Sequence, residues 1–333
     1  MKSTLLIPLA GTAVLAIYVI VSLAGRWSAT ADLVNQFWFG GALAALACSV
    51  WFVAAGGHKI SALVVVIHTA LAVIALLRSA PGEHLSPPVA EASPPGAIRA
   101  VSFNAWGGNG RQDLALDMLT ALNADVIALQ EVFGRSSGLA DALSATHPHA
   151  ADCIHGPTRI VSRLPVLSSG CLPQDPPRWR TLTTRRAMPF PAAWAEIETP
   201  DGPVTIIAVH FDWPALIGDH ESQRERLAEF IAGKDPAAML VTGDFNLADP
   251  SYMMRSMDEA LAPLERVSRG RRTWPSDRFS PFPLIGIDHA YAGSRVVAER
   301  VAAGPHGGSD HRPLVVDFRL HPGIRSPGAG AGA

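Results

Sequence analysis

The chain has 333 residues, of which 48% are hydrophobic and only 17% charged, against about 25% charged in a typical soluble domain. The deficit lies in residues 1–97; residues 98–333 hold 23 Lys and Arg against 26 Asp and Glu, a net charge of −3. This balance excludes a broadly basic nucleic-acid binder, and the apolar first third argues against a wholly soluble chain.

Three uncharged apolar stretches open the chain, at about 4–24, 37–55 and 60–77. Each is close to the ~20 residues that cross a bilayer core as a helix, so three transmembrane helices are expected within a membrane anchor spanning 1–79. A cleavable signal peptide fits the first stretch less well, because its apolar core exceeds the usual length of roughly 7–15 residues and two more stretches follow. Gly56-Gly57-His58-Lys59 leaves room only for a tight hairpin between the second and third. Lys2 and Lys59 balance Arg26 and Arg78, so loop charge orients the anchor only weakly. The orientation adopted places the N-terminus inside and the large domain outside the cytoplasm, as a multi-pass protein of the inner membrane. On that side Cys153 and Cys171 could pair, a matter for their Cα geometry.

Residues 80–97 carry Pro81, Pro87, Pro88, Pro94 and Pro95 and read as a semi-rigid linker. The domain at 98–320 alternates strand and helix signals, and the Gly-Ala tail at 321–333 reads as disordered. Strands are expected at Ile98–Asn104, Asp125–Gln130, Ala238–Thr242, Ile287–Tyr291 and Leu314–Phe318. A hairpin is expected from Ala193–Thr199 and Val204–His210 across Pro200-Asp201-Gly202. Gln112–Asn123 reads as a helix because Ala115, Met118, Leu119 and Leu122 share one face; Asp219–Ile231 reads as a second. The pattern is of the α/β class.

Polar residues gather at the C-terminal ends of these strands, where α/β folds place their sites. Asn104 closes one strand, Gln130 and Glu131 another, and His210 the hairpin; Gly243-Asp244-Phe245-Asn246 closes a buried strand. Asp288-His289 interrupts a further strand, and Ser309-Asp310-His311 precedes the last. Each alone has a bland explanation as a cap or a solvated strand end; six together do not.

The segments Ser102-Phe103-Asn104-Ala105-Trp106, Leu129-Gln130-Glu131-Val132, Val209-His210-Phe211, Gly243-Asp244-Phe245-Asn246, Ile287-Asp288-His289 and Gly308-Ser309-Asp310-His311-Arg312-Pro313 resemble the ordered motifs of the endonuclease/exonuclease/phosphatase superfamily. The resemblance implies two packed mixed β-sheets flanked by helices, a four-layer sandwich, and metal-dependent hydrolysis of a phosphoester. It implies Glu131 as the main ligand of Mg²⁺ or Mn²⁺, helped by Asn104, with Asp310 available to a second ion. It implies that Asp244 orients or deprotonates the attacking water and that Asn246 contacts the phosphate. His311 pairs with Asp288, and His210 donates to the phosphoryl oxygens; either Asp244 or His311 serves as base. No Tyr stands near His210, which argues against the apurinic-site nuclease branch.

His289 reads as a structural neighbour. Arg266–Pro283, with Arg269, Arg271, Arg272, Trp274, Arg278, Phe279 and Phe282, reads equally as a specificity loop or as a basic loop anchored by Trp274. The expected substrate is a small or lipid-borne phosphoester, mono- or diester, in preference to duplex DNA. An extracytoplasmic nuclease and a catalytically inactive receptor for phosphorylated ligands are the alternatives.

Overall fold

The computed structural model describes residues 17–37, 47, 50–51, 92–153, 157–172, 190–214, 220–276 and 283–321. Among them no helix is long and apolar enough to cross a membrane. Of the three expected spans, the third lies wholly outside the described residues and the first two largely so, as do most of the linker and the tail.

The expected strands form because their apolar runs are covered on both sides. Strands β1 (Ile98–Asn104) and β2 (Val126–Gln130) are buried at every position and pair in parallel. Parallel pairing needs a crossover, and α2 (Gln112–Leu122) supplies it. Its buried face is Ala115, Met118, Leu119 and Leu122, as the spacing requires, and it stops at Asn123, whose left-handed φ is 50°. A second parallel pair, β7 (Val204–His210) and β8 (Met239–Asp244), is bridged by α4 (His220–Ala232). The expected hairpin forms between β6 (Ala192–Ile197) and β7.

Each parallel pair sits at the heart of a six-stranded mixed sheet. The first sheet runs β11 (Val296–Ala303), β12 (Leu314–Leu320), β1, β2, β4 (Arg159–Ser162), β3 (His149–Asp152). The second runs β5 (Val166–Cys171), β6, β7, β8, β10 (Asp288–Ala292), β9 (Glu265–Arg266). Small and branched residues from both, including Ala100, Ala128, Ile160, Ala195, Ala208, Leu240 and Val316, fill the space between the sheets. The α2 helix and the short α3 (Leu139–Ala142) cover the outer face of the first sheet over Phe103, Ile127 and Leu129. The α4 helix and α5 (Tyr252–Ala260) cover the second over Val209, Val241 and Tyr291. This is the four-layer sandwich that the motifs implied.

Strands β3, β4, β5, β9 and β11 and the short α3 were not among the elements read from the sequence, and neither were two further helices. Helix α5 starts at a Ser251 cap just past the Gly-Asp-Phe-Asn motif. Helix α1 (Ala29–Gln36), capped by Ser28, stands between the first two apolar stretches and packs on α5. The end of the linker is tied down as well: the carbonyls of Ala92 and Pro95 accept from Arg300 and Arg319. Cys153, beyond β3, and Cys171, ending β5, are joined by a disulfide with their Cα atoms 4.9 Å apart, which links the edge strands of the two sheets.

Candidate active site

Strand register assembles the site. In the second sheet His210 lies opposite Asp244 on the parallel pair β7–β8, and Asp288 lies opposite Asp244 on the antiparallel pair β8–β10. Three chemically active side chains therefore stand on adjacent strands in one row. Gly243 makes this register possible: its φ is +154°, and a Cβ there would sit 1.9 Å from the carbonyl oxygen of Val209. In the first sheet β1 and β2 set Asn104 beside Gln130, and Glu131 follows at once with a left-handed φ of 54°.

The two sheets meet at one amide. Asn104 Nδ2 donates to Glu131 Oε1 at 3.1 Å and to Asp244 Oδ2 at 3.0 Å, while its Oδ1 accepts from the Trp106 N–H at 2.9 Å. Glu131 Oε2 accepts from the Gly107 N–H at 3.1 Å. His210 Nε2 lies 3.7 Å from both Glu131 Oε1 and Asp244 Oδ2. From the other side His311 Nε2 lies 3.7 Å from Asp244 Oδ2, and its Nδ1 lies 2.9 Å from Asp288 Oδ2. The hydroxyl of Ser309 donates to the Asn104 carbonyl at 2.7 Å and accepts from the His311 N–H, which fixes the Ser-Asp-His segment to the end of β1.

The site thus unites Asn104, Glu131, His210, Asp244, Asp288 and His311. The other two predicted residues stand differently. Asn246 hangs from Asp244 by its backbone N–H, and its side-chain amide is spent on the carbonyl of Phe211 at 2.8 Å, so here it braces the loop. Asp310 is half-buried, takes the indole N–H of Trp274 at 3.3 Å, and acts on His311 through its charge.

Burial pushes Asp244 up to about 6 against the pull of the His311 imidazolium, with the charge of Asp288 adding to the rise. Burial alone would lower His311, but the carboxylates of Asp288 and Asp244 outweigh it and hold the imidazole protonated, with a pKa of about 10. The site therefore pairs a carboxylate that ionises near neutrality with an acid that keeps its proton.

The donor set fits a hard divalent cation. Asp244, Asp288 and His311 bring ligand atoms within 4.8 Å of one another, and Glu131 joins them through Asn104. Asp288 Oδ1 and His210 Nδ1 are buried without a hydrogen-bond partner among the described residues. His311 and Asp288 already bond each other, which leaves the more exposed Glu131 as the open ligand.

His289, lowered by burial, is held between the Leu247 carbonyl and the Ser268 hydroxyl, as expected of a neighbour of the site. Within the described part of the basic loop Arg272 is exposed, while three other arginines are engaged inside the domain. Arg266 is paired with Asp249 and Asp258, Arg269 with Asp258, and Arg271 donates to the Val301 carbonyl. Trp274 reaches the site through Asp310 and meets Trp213 edge-on at 6.0 Å. Arg278, Phe279 and Phe282 lie outside the described residues.

No curated protein matches the chain by sequence. Among solved structures, sphingomyelinase C from Streptomyces griseocarneus is 15% identical, with 67% of this chain and 99% of that one covered and a TM-score of 0.51. A beta toxin variant from Staphylococcus aureus with bound magnesium ions is 14% identical, with 67% and 100% covered and a TM-score of 0.53. An endonuclease/exonuclease/phosphatase from Bacteroides vulgatus is 18% identical, with 68% and 99% covered and a TM-score of 0.54. These likenesses establish the fold. The family model for endonucleases, exonucleases and phosphatases matches residues 101–311, from β1 to the active-site histidine. By its motifs, its fold and that match, the chain belongs to the endonuclease/exonuclease/phosphatase family.

Proposed function

We propose that the chain is a membrane-anchored, divalent-metal-dependent phosphoesterase acting on a small or lipid-borne phosphoester, with its catalytic domain outside the cytoplasm. The observation that carries the reading is the placement of Asp244 between His210 and His311, each 3.7 Å away, while Asn104 ties it to Glu131. Phosphoester hydrolysis asks mainly for positioning and charge neutralisation.

Glu131, helped by Asn104, would hold Mg²⁺ or Mn²⁺, with Asp310 available to a second ion; the metal would supply neutralisation of the charge building on the phosphoryl and leaving oxygens. Asp244, ionised above about pH 6, accepts the proton of the attacking water at Oδ2. His311 is the weaker candidate for base because it already holds its proton. Its Nε2–H is instead free to donate to oxygen as charge develops there, and Asp288 fixes the ring through Nδ1. His210 donates from Nε2 to the phosphoryl oxygens.

Three considerations favour a lipid-borne or small phosphoester over duplex DNA. Residues 98–333 carry net charge −3, and Arg266, Arg269 and Arg271 are engaged within the domain. The apolar N-terminal stretches keep the site near a membrane. The fold is shared with a sphingomyelinase C. An inactive phospho-ligand receptor is disfavoured by the intact Glu131, Asp244, Asp288 and His311.

The test is the full-length chain in detergent with Mg²⁺, offered phospholipids, inositol phosphates, simple phosphate esters and plasmid DNA. Hydrolysis of the first three classes is expected. Efficient cutting of plasmid alone, falling steeply with salt, would replace this reading with an extracytoplasmic nuclease.

A further inference from the structure

We propose that helix α1 is a dock that holds the catalytic domain on its membrane anchor in one orientation, with the mouth of the active site against the bilayer surface. The proposal rests on the membrane anchoring proposed above and adds the element that sets the geometry.

Helix α1 buries polar side chains that a water-exposed helix would show, while apolar residues that flank it are exposed. Asp32, Asn35 and Gln36 are 0%, 3% and 2% exposed, while Trp27 and Phe37 at its two ends are 76% and 49% exposed. The preceding helical turns, 17–24, likewise expose Ile17, Ile20 and Leu23. Polar residues turned inward and apolar ones outward suit a segment whose surroundings are lipid and interface.

The buried polar groups are spent on the catalytic domain. Asp32 Oδ1 accepts the backbone N–H of Tyr252 at 3.0 Å, and Oδ2 accepts that of Met253 at 2.8 Å. These are first-turn donors of α5 with no partner inside their own helix, and a carboxylate complements that end of the helix dipole. Gln36 Oε1 accepts the N–H of Ala248 at 2.6 Å. Asn35 ties the dock back to the preceding turns, donating to Asp32 Oδ1 and to the Ser22 carbonyl, and the Tyr18 hydroxyl donates to the Val34 carbonyl.

The place of contact fixes the orientation. Ala248 is two residues past Asn246 in the loop that leaves β8 at its active-site end. Gln36 is the last residue of α1, directly before the second apolar stretch. The anchor therefore leaves the domain beside the site. At that same end Trp106, Phe133 and Trp213 are 42%, 50% and 41% exposed, each two or three residues beyond Asn104, Glu131 or His210. Exposed aromatics around an opening next to an anchor match the ring that aromatic side chains form at a membrane interface. Under the anchoring proposed above, two crossings between α1 and the domain would return the chain to the face on which the contact lies.

The test uses the full-length chain in a Cys48→Ser background, reconstituted in phosphatidylcholine vesicles that carry nitroxide-bearing lipid. A fluorescent label is placed either at Phe133→Cys, on the rim, or at Asp201→Cys, in the β6–β7 turn at the far end of strands about 20 Å long. Quenching is expected at position 133 and only weakly at 201. The contrast should collapse in the Asp32→Ala, Gln36→Ala double variant and weaken in Asp32→Asn, which keeps the shape and removes the charge. Equal quenching at both positions, stronger quenching at 201, or a contrast that survives loss of both dock residues overturns the proposal. Co-flotation with the vesicles reports anchoring separately. No turnover is read, so a failed phosphoesterase assay would sink the proposed function and leave this result standing.

Discussion

His311 Nδ1 and Asp288 Oδ2 lie 2.9 Å apart, buried, on a loop and a strand that different parts of the chain supply. A buried ion pair is weak support for stability in general, because desolvation offsets the attraction. Here it sets the charge and ring orientation of a group facing Asp244, which points to chemistry as its use. Asp288→Asn should lower kcat by roughly 10²–10⁴-fold, the range seen when an acid–base imidazole loses its orienting partner. His311→Ala should be at least as severe. The double variant should be little worse than His311→Ala, because residues acting as a unit do not add. Losses that multiply independently in steady-state kinetics would show that the two do not act together.

The same pair predicts a pH dependence of stability in metal-free protein. The folded pKa of His311 is raised, so its contribution is fully present below the ordinary histidine value and is lost as pH rises through about 10. The Tm of the wild-type chain should therefore fall, relative to that of His311→Gln, as pH is taken from about 6.5 towards 10. Parallel Tm curves for the two chains across that window would contradict the raised pKa.

Gly243→Ala tests the register. The new methyl group would meet the Val209 carbonyl at a φ that L residues rarely adopt, so β7 and β8 must separate or slip. A loss of about 2–4 kcal/mol is expected in urea unfolding, within the range of severe single substitutions. Activity should fall in the fraction that stays folded, because His210 and Asp244 face each other through this register. Unchanged stability would mean that the glycine is not required there.

Residues whose role follows from local pattern were legible in the sequence. The four buried positions of α2, the hairpin at 192–210 and the wholly buried β1 and β2 stand where apolar spacing and length put them. Asn104, Glu131, His210, Asp244, Asp288 and His311 were legible as strand-end residues, yet no spacing rule says that one amide joins Glu131 to Asp244 across two sheets. The bond from Asn104 to Asp244 is a tertiary contact between residues 140 positions apart. Helix α1 escaped for the opposite reason. Eight residues between two apolar stretches carry no apolar pattern long enough to mark an element, and Asp32 and Gln36 find their partners more than 200 positions away. The arginines of 266–271 left two readings open, because charge pattern cannot distinguish a phosphate-facing Arg from one paired with Asp249 and Asp258.

A divalent cation should both activate and stabilise. Activity should vanish on chelation and return with Mg²⁺ or Mn²⁺. At a concentration 100-fold above its dissociation constant, the metal should stabilise the chain by about 2.7 kcal/mol. Glu131→Gln should lose the metal-induced rise in Tm as well as activity, since the more exposed carboxylate at the centre of the site is removed. Full turnover after exhaustive chelation would refute the metal requirement, and a retained rise in Tm in Glu131→Gln would move the metal to Asp244, Asp288 and His311.

The Cys153–Cys171 bond makes the side of the membrane testable without a substrate. Disulfides persist in oxidising compartments and are rare in the cytosol, so a bond joining the edges of both sheets fits a domain held outside the cytoplasm. The two cysteines are 18 positions apart, and closing a loop of that size stabilises by about 3 kcal/mol in the chain-entropy model. Thiol trapping in intact cells should therefore label Cys48 alone after denaturation, and reduction should lower the Tm of the purified chain. A reporter that works only outside the cytoplasm should be active when fused after Leu320. If both cysteines are trapped as free thiols and only a cytoplasmic reporter works, the domain lies inside. The site would then face phosphoesters at the inner surface of the membrane, and the dock formed by Asp32 and Gln36 would hold it there instead.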